Sequence, residues 1–332
     1  MSFPSLARSL VAAAAVTSSL AFAAPQPRWT MVAIPAPHPQ GGFTALDINN
    51  RGQVVGYGTV FDAQSTALHA LLWDNGTVID LGRAPTGHPI STARAINDRG
   101  TVLAGDGLGV QYSWADGVWT RLEVPGAANL INRFGAVGGT YATSTGWGHG
   151  YIYRDGVLTD VGTLGGPYSD LEDLNDKAVA VGKSLTSNFE YHPYVYKDGA
   201  IKDLGTFGGR FGTALDVNNH GVVVGAAYDA ANVAHAFVYD GGAIRQLFPG
   251  ETGNSQAVAI NDHGTIIGWR EGIGSAFIYD NGVVTMIEQI PEVRAGGWSW
   301  LVPTGINDRG WITGYGRRGT SFNDVGFVLM PK

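Results

Sequence analysis

Four histidines, His69, His149, His192 and His235, recur at one place in a repeating pattern, and three aspartates, Asp47, Asp173 and Asp216, recur at another. Imidazoles bind zinc only when their nitrogens converge to within about 2 Å of one centre. Equivalent positions on successive repeats lie too far apart for that, so each imidazole is expected to bond a neighbouring turn. The aspartates are different, because strands lining one channel would aim Asp47, Asp173 and Asp216 into a single cavity. Calcium takes oxygen ligands at roughly 2.3–2.6 Å, and these three carboxylates are the candidate calcium site. The competing expectation is that each accepts local backbone donors and that the protein has no metal or cofactor. Glu172, Glu190, Asp229, Glu251, Glu271, Glu288 and Glu292 fall in the connections between strands. Two of them set about 5–5.5 Å or 6.5–9.5 Å apart would suit glycoside hydrolysis. No nucleophile elbow, zinc-binding helix, phosphate loop or dinucleotide fingerprint occurs.

Aromatic residues collect in the same connections. Trp147, Tyr168, Tyr191, Phe211 and Tyr228, with Tyr141 and Phe189 beside them, are candidate ligand-binding residues. Trp298 and Trp300 join them from the longest insertion, "EQIPEVRAGGWSWLVP". Exposed aromatic rings beside polar groups suit a sugar or a protein partner.

The elements that must hold these residues repeat. An apolar residue followed by Asn occurs at Asn49, Asn97, Asn132, Asn175, Asn218, Asn261 and Asn307, at spacings of 48, 35, 43, 43, 43 and 46 residues. That period fits four-stranded propeller blades. Each copy reads as four short strands rich in Val, Ile, Tyr and Phe, as in "TALDVN", "GVVVG", "HAFVYD" and "GAIRQL". An Asn-x-x-Gly turn follows the first strand, with Ala178 in place of Gly in the fourth copy. Asn-Gly or Asp-Gly pairs such as Asn75-Gly76 and Asp155-Gly156 mark the second turn, with Gly241-Gly242 in the fifth copy. The seventh copy lacks a fourth strand, and "RWTMVAIPAP" near the N-terminus aligns with the fourth strand of the second copy, "VWTRLEVPGA". The expectation is an all-β, seven-bladed β-propeller of four-stranded antiparallel blades, closed by the N-terminal strand completing the last blade.

Residues 1–23 carry one basic residue, Arg8, an apolar run and then Ala21-Phe22-Ala23, the pattern of a cleaved signal peptide. Residues 24–332 then form a single propeller domain. No stretch has the length of a membrane span. The chain has 49 glycines, no cysteine, 15% charged residues and a net charge of −7, which argues against nucleic acid as a partner.

The phrases "HAFVYDGGAIRQL", "HALLWDNGTVIDLG", "GTLGG" and "INDHGTIIG" resemble the HAF repeats of bacterial extracellular proteins. The resemblance covers residues 28–332 and implies export and a bacterial source, with no activity or catalytic residue attached. Val110, Ser275 and Val325 stand where the repeat histidine would be in three copies. The expected function is non-catalytic binding of a glycan or an extracellular protein by a secreted or periplasmic monomer. The alternatives are a carbohydrate-active hydrolase or lyase using the loop carboxylates, and a structural envelope or matrix component.

Overall fold

The computed structural model describes residues 29–61, 66–272, 275–319 and 323–332. The expected signal peptide at 1–23 lies outside the described residues. The chain is all-β apart from a short 3-10 turn, Ile287–Gln289, and a one-turn helix, Pro291–Ala295. Strands pair antiparallel with their sequence neighbours, as hairpin connections dictate.

The expected count of seven four-stranded blades is corrected. Five blades stand as separate four-stranded sheets, and residues 165–246 form one eight-stranded sheet. The join is a single parallel pairing of Tyr191 with Phe211. It lies where the first strands are longest. The first strands here, Gly165–Leu174 and Gly208–Val217, run for ten residues, against five or six in Thr44–Ile48, Ser91–Ile96, Ala127–Ile131 and Ser255–Ile260. Both long strands begin in the repeated phrase "GTxGG". Gly165 and Gly208 have φ of 98° and 100°, a conformation that glycine adopts without strain. A Cβ at Gly166 would lie 2.6 Å from the Thr186 carbonyl oxygen, so the phrase is a packing signal that carries the strand tightly across its neighbour.

Strand Trp29–Ala33 pairs with strand Val325–Pro331, Trp29 opposite Pro331 and Ala33 opposite Phe327. The first described strand is therefore the outer strand of the sheet that ends the chain.

The repeat asparagines explain how the sheets meet. Each is buried, and its Oδ1 accepts the backbone N–H groups two and four residues on, as Asn175 does from Lys177 and Val179 at 2.9 Å each. Its Nδ2 donates to the backbone carbonyl of the next repeat asparagine, from Asn49 to Asn97 at 3.0 Å and onward at 2.8–3.2 Å. Asn307 closes the circuit on Asn49 at 2.9 Å. Apolar layers fill the space between sheets. Val55, Leu72, Ala93 and Val102 form one of them, with Trp114 and Trp119 against its edge.

Candidate functional site

Three regions of this ring hold the residues that the sequence singles out. The first is the axial channel. Asp47, Asp173 and Asp216 sit at register shifts in their strands, beside a cavity of about 290 Å³. Asp47 accepts the N–H of Ile48 at 2.7 Å and that of Ile96, in the next repeat, at 2.8 Å. Asp216 bridges Val217 and Ile260 in the same way, at 2.8 and 2.6 Å, and Asp173 accepts from Val217 at 3.0 Å. Each carboxyl thus ties one repeat to the next. Burial raises the pKa of Asp47 to about 7 against its backbone hydrogen bonds. Burial, and then the charge of Asp216, holds Asp173 well above the usual aspartate range, and burial raises Asp216. Among the described residues no group of three or more His, Cys, Asp and Glu side chains is arranged to hold a metal ion.

Sequence reasoning missed a second ring one residue on: Asn50, Asp98, Arg133, Asp176, Asn219, Asp262 and Asp308. The backbone N–H of Asn219 donates to Asp262 at 2.7 Å, that of Asp262 to Asp308 at 2.9 Å and that of Asp308 to Asn50 at 2.8 Å. The available signal was an Asn or Asp following six of the seven repeat asparagines.

The second region is the set of repeat histidines. His69, His149 and His192 place Nδ1 at 2.8–2.9 Å from the aspartate eleven residues later, Asp80, Asp160 and Asp203. Those aspartates also accept the N–H of Gly82, Gly162 and Gly205 at 2.7–2.8 Å. Each imidazole therefore fastens the third strand to the turn after the fourth within its own blade, a bond to a neighbouring turn. His235 departs, using Nε2 to reach Asp229 at 3.0 Å.

The third region is the face opposite the Asn-x-x-Gly turns. Four of its connections are tight turns starting at Asp106, Thr143, Thr186 and Asp229. The fourth residue of each has positive φ: Gly109, Gly146, Phe189 and Asn232, at 84°, 83°, 59° and 65°. Phe189 is thus a bulky side chain in left-handed backbone, and it is 67% exposed. Tyr168, Tyr191, Phe211 and Tyr228 form a continuous run of rings, with centroids 6.1, 5.7 and 5.3 Å apart and steeply inclined planes. This run crosses the join of the eight-stranded sheet. At its end Phe211 and Tyr228 wall a pocket of about 530 Å³ that also contains Trp269 and Arg270.

Trp147 stands apart on the same face, 49% exposed. The insertion holding Trp298 and Trp300 is not an open loop. Trp298 begins strand Trp298–Ile306, is 9% exposed and packs edge-on against Phe327. Trp300 is 42% exposed, flanked by Tyr315 and by the Arg317 guanidinium 5.8 Å from its ring centre.

The acidic residues of this face are mostly engaged. Glu190 is held by Arg210 at 2.9 Å and Glu251 pairs with Arg270, while Glu172, which lines the axial cavity instead, is held by Lys183 at 2.7 Å. Glu271 accepts from Asn254 at 2.9 Å, and Glu288 from the backbone N–H groups of Ser275 and Ala276 at 3.1 and 3.0 Å. Although burial opposes it, the Glu172 and Asp170 charges push Lys183 up to about 12.

No helix among the described residues is long and apolar enough to cross a membrane. No family model matches the chain, and no curated protein matches it in sequence. Solved structures do. The β-propeller domain of the Trilobed protease from Pyrococcus furiosus, described as having an open velcro topology, aligns at a TM-score of 0.61 and 10% identity over 87% of this chain and 95% of that one. An acylaminoacyl peptidase from Pyrococcus horikoshii aligns at 0.55 and 11% over 84% of this chain, which spans 52% of the peptidase. YCF48 bound to D1 peptide aligns at 0.51 and 11%, over 91% of this chain and 94% of that one. At these identities the likeness is one of fold: the chain is a β-propeller with antiparallel four-stranded blades.

Proposed function

We propose that the protein is a non-catalytic binding propeller that holds a protein partner against the aromatic run of Tyr168, Tyr191, Phe211 and Tyr228, with Phe189 beside it. The observation that carries this reading is Phe189. A non-glycine residue in left-handed backbone costs about 1–2 kcal/mol, and the corresponding turns use Gly146, Gly109 and Asn232. An exposed phenylalanine kept there at that cost is accounted for by contact with something outside the chain. The ring geometry favours a protein over a sugar. Rings packed edge to face use up the flat surfaces on which a pyranose stacks and leave an uneven apolar relief that suits side chains.

Engagement of the acidic side chains supports binding over hydrolysis, because a catalytic carboxylate needs freedom to give or take a proton. The signal-like residues 1–23 and the resemblance to HAF repeats support action outside the cytoplasm. YCF48 is similar in fold and was solved with a peptide bound.

The reading is tested by comparing partners captured from extracellular fractions by the wild-type chain and by two variants. Loss of capture with the double variant Tyr191→Ala, Phe211→Ala and retention with Phe134→Ala, an exposed ring in an Asn-x-x-Gly turn, is the expected result. Equal capture by all three contradicts it.

A further inference from the structure

Trp147 points to a second, chemically different site. It lies in a groove of about 720 Å³ with Tyr141, Thr143, Thr145, His149 and Asp160. Unlike the rings of the aromatic run, the indole makes no ring or cation contact among the described residues, and about half of it is exposed to the groove and solvent. His149 is a repeat histidine that pairs through Nδ1 and lines this groove. His69 is buried, and Glu190 stands 4.0 Å from His192.

The polar groups of the groove are arranged for a neutral ligand. Asp160 accepts from Gly162 at 2.7 Å, His149 at 2.9 Å and Tyr141 at 3.0 Å. Although burial opposes it, these donors hold its pKa below the usual aspartate value, so the group is an ionised acceptor whose charge is already shared. An ionised carboxylate can only accept, which makes His149 Nδ1 the donor and leaves Nε2, an acceptor in a neutral imidazole, with no hydrogen-bond partner among the described residues. The Thr143 hydroxyl donates to the Trp147 carbonyl at 2.9 Å and so accepts from the Thr145 hydroxyl at 2.8 Å, at the head of the turn that presents Trp147, which leaves both oxygens as acceptors. Hydroxyl oxygens and an imidazole nitrogen that accept, beside an exposed indole, match the hydroxyl-ringed, apolar-faced form of a hexopyranose.

We infer that this groove is a subsite for a neutral hexopyranose residue of a glycan, stacked on Trp147 with a hydroxyl donating to His149 Nε2. The site is independent of the protein-binding run.

Saturation-transfer NMR on the full chain tests it, with the methyl glycosides of glucose, galactose, mannose and N-acetylglucosamine and their short β-1,4-linked oligomers as probes. At least one probe is expected to bind saturably, with affinity falling about tenfold in Trp147→Ala and less in Trp147→Phe. Trp147 is half-exposed and makes no ring contact, so its replacement leaves the fold intact, which circular dichroism verifies. No saturable binding across the panel, or binding indifferent to Trp147→Ala, overturns the inference. A groove whose substitution affects only a bound peptide overturns it equally.

Discussion

At the residue scale, the informative positions are those where a repeat breaks its own rule. Ala178 takes the place of the turn glycine and keeps its left-handed backbone, φ 60°, with its N–H still donating to Asn175 O at 3.2 Å. Ala178→Gly is expected to stabilise the protein by about 1 kcal/mol in urea unfolding. Phe189→Gly should give a similar gain in stability and a loss in partner affinity. A gain without that loss makes Phe189 an accident of sequence. Asn175 is the opposite case, a residue that obeys the rule. Removing its amide in Asn175→Ala leaves the N–H groups of Lys177 and Val179 without their acceptor and takes one of two donors from the Asn218 carbonyl, at a cost of about 3 kcal/mol in the same measurement. The repeat Asn and its turn were legible in sequence because one short-range hydrogen-bond pattern defines them. The strain at Phe189 was not, since composition carries no record of φ.

Strands and turns were legible wherever local chemistry decides them. Five of the six paired-residue turns, from Asn75-Gly76 to Asn281-Gly282, have both residues at positive φ, as the hairpin geometry requires. Gly241-Gly242 departs from this, and its following strand shrinks to Arg245–Gln246. Lateral merging was not legible, because it depends on how far a ten-residue strand overhangs its neighbour. The helix Pro291–Ala295 and the burial of Trp298 were hidden for a similar reason: an insertion read as a loop packs back on Phe327. The pairing of the first and last described strands gives an element-scale test that the cysteine-free chain makes clean. Thr30 and Met330 are direct partners, so Thr30→Cys with Met330→Cys should oxidise to a cyclised chain of altered gel mobility that reverts on reduction. Failure to cross-link under mild oxidation would contradict that pairing.

For the whole molecule, the channel carboxyls couple stability to pH. Asp47, Asp173 and Asp216 all titrate higher in the folded chain than unfolded, so folding takes up protons. Their stabilising contribution is complete below the ordinary aspartate value of 3.8 and fades as pH rises, through about 7 for Asp47. Melting temperature is therefore expected to fall over that window in the wild type and to fall less in Asp47→Asn, as followed by calorimetry. A closed ring with one regular face and one aromatic face is a scaffold for recognition, and recognition by the aromatic run is the claim on which the functional reading stands. Selection of a random peptide library on the immobilised chain, followed by titration of the enriched peptides, tests it most directly. The expected result is peptides whose Kd rises by about 30-fold in Tyr191→Ala or Phe211→Ala and is unchanged in Phe134→Ala. Peptides that bind all three variants alike, or no enrichment at all, would contradict it.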